Sequence, residues 1–208
     1  MTASNGNCFL CGKTDGKIKI KNHLLKDHNS GDEDCYLFKA EGAYNKNYWL
    51  FFTVSLDATL EEVDGFLRAI WCECCDHLSA FYRNREELDM SCEISDLSVR
   101  DSLHYVYDFG TTTGILLTVV KKMSRPGNSA EVLLLARNEP PIINCESCEA
   151  PAVCIATDSG ECRCKKCSKD AAEDHYLPIV NSPRVGRCGF TGNCDCWTFD
   201  PTEHIPED

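Results

Sequence analysis

Cysteine pairs separated by two residues occur at both ends of the chain. Cys8 and Cys11 form one, and Cys145–Cys148 and Cys164–Cys167 lie within NCESCEAPAVCIATDSGECRCKKC, residues 144–167, which packs six cysteines into 24 residues. A two-residue gap lets both sulfurs of a tight turn point at one centre, so these segments read as metal ligands, as disulfides or as free, reactive thiols. Sixteen cysteines among 208 residues suit either of the first two. The first residues, MTASNGNCFLCGKTDGK, lack the apolar run of an export signal. A cytoplasmic chain with reduced thiols is therefore expected, and paired spacings then lean toward metal. Disulfides remain the alternative if the chain works in an oxidising compartment.

Cys145, Cys148, Cys164 and Cys167, with 15 residues between the pairs, have the spacing of a zinc ribbon. Four thiolates complete a tetrahedron and leave no open position, which predicts a structural rather than a catalytic ion. At the other end Cys8, Cys11, His23 and His28 resemble a Cys2His2 finger, with KNHLLKDH carrying both histidines on a short helix. The loop of this finger is one residue short, Asp15 stands where a DNA-reading finger usually has Phe, and Lys21 stands near the usual Leu. Two zinc ions are expected. A third would fall to Cys154, Cys162, His175 and Cys188, interleaved with the ribbon, although Thr157 sits where a paired cysteine would be convenient. The competing reading of these extra cysteines is that of small buried hydrophobes. Cys194 and Cys196 receive no role.

Between the cysteine pairs the chain reads as α+β. The expected domains are a finger over 1–30, a linker over 31–41 opened by GDEDC, a core over 42–139, and a cysteine-rich zinc-ribbon or cross-brace-like module over 140–208. NYWLFFTVSL, 47–56, suits a buried strand. Thr59 and Glu62 can close a capping box on a helix whose apolar face is Leu60, Val63, Phe66, Leu67, Ile70 and Trp71. LHYVYDFG, the turn GTTTG and ILLTVVKKM read as a hairpin, and AEVLLLAR, 130–137, as another strand. An antiparallel sheet with a helix against one face is predicted, flanked by small zinc modules. No apolar run is long enough to span a bilayer.

Several motifs in order carry a family resemblance. YWLFFTVSLDATLEEVDGFLRAIWCECCDHLSAF, YVYDFGTTTGILLTVV, LLARNEPP and NSPRVGRCGFTG are similar to the Ri-plasmid open-reading-frame-three family, whose members are also labelled insertion-element passenger or resolvase-like proteins. The resemblance covers most of 42–192. It implies an α+β core with zinc-binding appendages and no established activity. The resolvase label does not carry over, because serine recombinases begin with a strand bearing a nucleophilic serine and residues 1–30 here read as a metal finger. His28 stands where relatives often have cysteine, and Thr157 departs from a paired cysteine.

Three stretches invite a catalytic reading, and each has a plainer one. CECCDH groups Cys72, Cys74, Cys75 and His77 at a helix C-terminus, where the helix dipole disfavours a thiolate. Packing cysteines and a capping histidine explain it. DFG at 108–110 has no glycine-rich loop or HRD-like loop with it and reads as a strand end entering a turn. Asp57, Glu61, Glu62 and Asp64 suit the positive end of a helix.

With a formal charge of −12 the chain does not look built to coat nucleic acid. Residues 1–30 carry five Lys and two Asp, net +3, whereas 31–140 carry 10 basic and 19 acidic residues, net −9. The expected function is a zinc-stabilised, non-catalytic adaptor that recognises a macromolecule, a protein in the first instance. Nucleic-acid binding through the lysines of residues 1–30 is the first alternative, and an enzyme using a Cys/His or zinc site the second.

Overall fold

Trp49–Ser55 is buried at every residue, because its sheet is covered on both faces. Successive side chains of a strand point to opposite faces. Leu50, Phe52 and Val54 enter one hydrophobic core, and Trp49 and Phe51 enter a second. This arrangement comes from a computed structural model that describes residues 4–125, 130–170 and 175–192.

In chain order the elements are β1 (Asn5–Cys8), β2 (Thr14–Gly16), α1 (Lys17–Asp27), β3 (Glu33–Gly42), β4 (Trp49–Ser55), α2 (Leu60–Leu67) extended by a π-helical turn (Arg68–Cys72), β5 (Ser79–Arg83), β6 (Glu86–Leu88), a 3-10 turn (Ile94–Asp96), β7 (Ser102–Tyr107), β8 (Thr113–Arg125), β9 (Val132–Asn138), β10 (Cys154–Ala156), β11 (Cys162–Arg163), α3 (Cys167–Asp170) and β12 (Tyr176–Pro178). Nine strands make one sheet in the order β2-β1-β9-β4-β3-β8-β7-β5-β6, and β11-β10-β12 make a small second sheet. The pairings are antiparallel. The α+β class expected from the sequence is thus the class observed.

Helices cover both faces of the large sheet, where the sequence suggested one. Leu60, Val63, Phe66 and Leu67 of α2, with Ile70 and Trp71 of the π-helical turn, pack on Phe38, Phe52, Tyr105 and Leu117. On the opposite face Ile20 and Leu24 of α1 pack with Trp49, Phe51 and Leu133. Bulges let the long strands serve both cores. In β8, Ile115, Leu117 and Val119 face the α2 core, yet Met123 faces the α1 core. The β3–β8 register skips a residue between Leu37/Lys121 and Phe38/Val119, and one extra residue reverses the face of everything beyond it.

Two expected boundaries move. Residues 31–41 are not a linker: Glu33–Gly42 is a ten-residue strand between β4 and β8. The acidic GDED had masked the run CYLFKA, in which Cys35 and Leu37 face one core and Phe38 and Ala40 the other. Nor does the segment expected as a finger over 1–30 stand apart from the core. β1 hydrogen-bonds to β9 through Gly6↔Asn138 to Cys8↔Ala136, and α1 contributes two fully buried residues to a core of the main sheet. Gly6 is needed in β1, since a Cβ there would collide with the Trp49 ring and the Arg137 carbonyl.

The chain after β9 returns to the core. Residues 181–190 form a strap across the end of the sheet. Asn181 and Asn138 exchange hydrogen bonds, Nδ2 of Asn138 donating to Oδ1 of Asn181 at 2.7 Å and Nδ2 of Asn181 to the Asn138 carbonyl at 2.8 Å. Ser182 Oγ donates to the Trp71 carbonyl at 2.6 Å, and Arg184 has no exposed surface at all.

Candidate metal centres

Among the described residues, three groups of four side chains bring their ligand atoms within 4.8 Å of one another: Cys8, Cys11, His23 and His28; Cys74, Cys75, His77 and Cys188; Cys145, Cys148, Cys164 and Cys167. Each is positioned to hold a metal ion and has ligands compatible with zinc. The spacing of sulfurs separates this from cross-linking. Zn–S bonds of about 2.3 Å in a tetrahedron set neighbouring sulfurs about 3.8 Å apart, whereas a disulfide brings them to about 2.05 Å. Cys148 Sγ lies 3.6 Å from both Cys164 and Cys167, Cys74 lies 3.6 Å from Cys75, and Cys75 lies 3.9 Å from Cys188. Among the described residues the cysteines are free thiols, fourteen in number.

The N-terminal group forms because β1 ends in a turn. Gly12 N donates to the Cys8 carbonyl, which closes the turn that brings Cys11 over Cys8, and Gly12 takes φ +73° as the chain leaves it. His23 lies on the inner side of α1 and His28 caps its C-terminus. His23 Nε2 stands 3.1 Å from Cys11 Sγ and 3.1 Å from His28 Nε2, while its Nδ1 meets Asp27 Oδ2 at 2.7 Å. A carboxylate behind a ligating imidazole fixes the ring and strengthens its donor nitrogen. Burial raises the metal-free Cys8 thiol to about 11, and burial together with the neighbouring His23 lowers the His28 pKa.

The C-terminal group repeats the turn twice. Glu149 N donates to the Cys145 carbonyl, Glu149 takes φ +59°, and Ser168 N donates to the Cys164 carbonyl as α3 begins at Cys167. Backbone N–H groups of Cys164, Ser147 and Cys148 converge on Cys145 and hold its thiol down at about 6. Cys167, which faces Cys148 and Cys164 side by side, is raised to about 12.

The remaining group was not foreseen. Cys188 belongs with Cys74, Cys75 and His77, and not with Cys154, Cys162 and His175. The register of the small sheet explains why those three do not assemble. Cys162 lies opposite Ile155, so Cys154 and Cys162 fall on opposite faces. His175 is exposed, and its carbonyl accepts hydrogen bonds from Thr157. His77 Nε2 lies 3.0 Å from Cys75 Sγ and 3.1 Å from Cys188 Sγ. Cys72 is the packing cysteine that the plain reading of CECCDH expected: it is fully buried and its pKa is strongly raised by burial. Cys74, Cys75 and His77 depart from that reading. Cys194 and Cys196 lie outside the described residues.

Asp108, the first residue of DFG, works as a turn acceptor. It takes φ +62° and accepts from Gly110 N at 2.9 Å and Thr111 N at 3.1 Å, and the Thr111 hydroxyl donates to its other oxygen. Asp57, Glu61, Glu62 and Asp64 stay at the start of α2; Asp64 reaches across to Arg68, Ser79 and Tyr105.

No family model matches the chain, and no curated protein matches it. Among solved structures it is similar to a protein of unknown function from Methanosarcina mazei Go1, at 16% identity and a TM-score of 0.45, over 50% of this chain and 69% of that one. Among the described residues, no helix is long and apolar enough to cross a membrane.

Proposed function

We propose that the protein is a zinc-stabilised, non-catalytic adaptor, a member of the Ri-plasmid open-reading-frame-three family that its motifs resemble, that it works in the cytoplasm, and that its partner is a protein. The observation that carries this reading is the closure of the two terminal centres. Each offers four protein ligands to an ion, which leaves no position for a substrate or an activated water. The thiol route to catalysis is disfavoured too, since Cys72 is buried and the Cys75 thiol is raised to about 12 by its hydrogen bond with Cys74, by desolvation and by Cys188.

Nucleic-acid binding through residues 1–30 is the second reading, favoured by the net +3 of that segment. Two of its five lysines are already engaged within the fold: Lys17 pairs with Glu41 at 2.6 Å and Lys19 with Asp15 at 3.2 Å. The test is affinity purification of the full chain from its own host, with nuclease and salt series. A stoichiometric protein that survives nuclease and moderate salt supports the adaptor reading. Retention of nucleic acid alone, with affinity falling steeply in salt and lost in Lys13→Glu/Lys26→Glu, overturns it in favour of the second.

A further inference from the structure

We propose that Cys74, Cys75, His77 and Cys188 hold a third zinc ion, and that this ion latches the 181–190 strap onto the sheet. The two terminal centres join residues at most 22 apart in the chain, as their ligand numbers show. The third joins a loop at 74–77 to Cys188, across 111 and 113 residues for the His77 and Cys75 contacts. It therefore does different work: the outer ions close local folds, and this one closes a tertiary contact.

Three observations converge on a metal. First, the spacing is that of ligands around one ion: the two sulfur–sulfur distances, 3.6 and 3.9 Å, bracket the value of about 3.8 Å for a zinc tetrahedron. Second, Asp76, the residue after Cys75, takes φ +57°, as Glu149 does after Cys148 (φ +59°) and Gly12 after Cys11 (φ +73°). All three groups thus place a left-handed residue directly after a cysteine, where it turns the following chain back toward the group, and Cys188 itself is held at φ +45°. Left-handed backbone at a non-glycine residue costs energy; at Asp76 its N–H, which donates to Glu73 Oε1 at 2.6 Å, offsets part of it. Third, Cys75 and Cys188 are exposed, so hydrophobic packing does not account for their meeting.

The surroundings suit a thiolate-rich ion. Zinc binding converts three thiols to thiolates and releases three protons to solvent, giving a centre of net charge −1 with a neutral imidazole. Arg184, wholly buried, places Nη2 3.3 Å from Cys74 Sγ and 2.8 Å from Asp108 Oδ2, with its guanidinium 4.7 Å above the Tyr107 ring. A guanidinium donating to a ligating sulfur offsets that charge and orients the ligand. Because Arg184 sits in the strap with Cys188, the ion and the Arg184–Asp108 pair hold the same segment from two sides.

Native mass spectrometry of the full chain, expressed in zinc-supplemented medium, tests the count. Three zinc ions are expected for the wild type and for Cys92→Ser, whose cysteine lies outside every group, and two for Cys188→Ser. Differential alkylation of the wild type needs no variant: Cys75 and Cys188 should react at least tenfold more slowly before chelation than after. Hydrogen exchange then reads the latch, with faster exchange over 181–190 in Cys188→Ser and unchanged exchange in β4. Two ions in the wild type with Cys75 and Cys188 freely alkylated overturn the proposal, as does a mass two protons short with a Cys75–Cys188 disulfide. Three ions with unchanged exchange in the strap overturn the latch. None of these outcomes depends on what partner the protein binds, so the adaptor reading stands or falls separately.

Discussion

At the residue scale Arg184 is the most consequential side chain outside the ligand sets. Its guanidinium donates to the Thr111 carbonyl at 3.2 Å, to Thr113 Oγ1 at 3.0 Å and to Asp108 at 2.8 Å. Burial alone would raise the Asp108 pKa, but the Arg184, Thr111 and Gly110 hydrogen bonds overcome it and hold the carboxyl well below the usual range. Arg184→Met leaves a buried carboxylate without its cation and should cost about 3 kcal/mol or more. Asp108→Asn on top of it should restore part of that loss, and urea unfolding of the two single variants and the double variant measures the coupling. Equal additive losses would show that the pair does not act as one. None of this was legible in NSPRVGRCGF, because an arginine four residues before a cysteine says nothing of the DFG turn some 76 positions earlier that it meets.

At the scale of elements, α2 behaves as its local sequence demands. Thr59 and Glu62 close the capping box that their spacing predicts, and the helix then runs on into a π-helical turn to Cys72. Thr59→Ala should lower stability by about 1 kcal/mol, read from urea unfolding. The docking of α1 depends on a less local feature. Glu41 of β3 meets Lys17 at 2.6 Å and Lys39 at 2.7 Å while itself nearly buried. Burial works to raise the Glu41 pKa, but the two lysines overcome it and the net shift is downward. The contribution of a carboxylate lowered in this way is present above its unfolded pKa of about 4.3 and is lost as pH falls through the folded value. Glu41→Gln should therefore cost about 1–2 kcal/mol at neutral pH, and the gap between variant and wild type should close as the pH is taken below about 4. A gap that persists in acid would assign the loss to packing.

At the scale of the molecule, chelation should not act uniformly. The nine-stranded sheet has two hydrophobic cores of its own, whereas the β10–β12 sheet has only three short strands and little buried apolar surface. With Cys145, Cys148, Cys164 and Cys167 holding an ion as proposed, its removal should open residues 145–170 and 175–178 while β3, β4 and β8 keep their amide protection, since a small module gains its folding energy from its ion. Hydrogen exchange with and without chelator would show it, and simultaneous loss of protection in both sheets would mean that the modules fold as one unit.

The sequence by itself determined what depends on neighbours along the chain. Two-residue gaps bring Cys8 to Cys11, Cys145 to Cys148 and Cys164 to Cys167 through turn geometry alone, and α1 with its C-cap delivers His23 and His28 to the same ion site. A run of aromatic and β-branched residues and a capping box likewise marked β4 and α2. Tertiary structure decided what depends on distant segments meeting. The acidic opening of β3 looked like a linker until its place between β4 and β8 buried the residues behind it. Cys188 has no paired cysteine near it in the chain, and its partners at 74, 75 and 77 become partners only when Asn181, Ser182 and Arg184 dock the strap on the core. Local spacing is written in bond geometry, which the chain carries everywhere, but a contact across 111 residues exists only once burial and hydrogen bonding have chosen one arrangement of the whole.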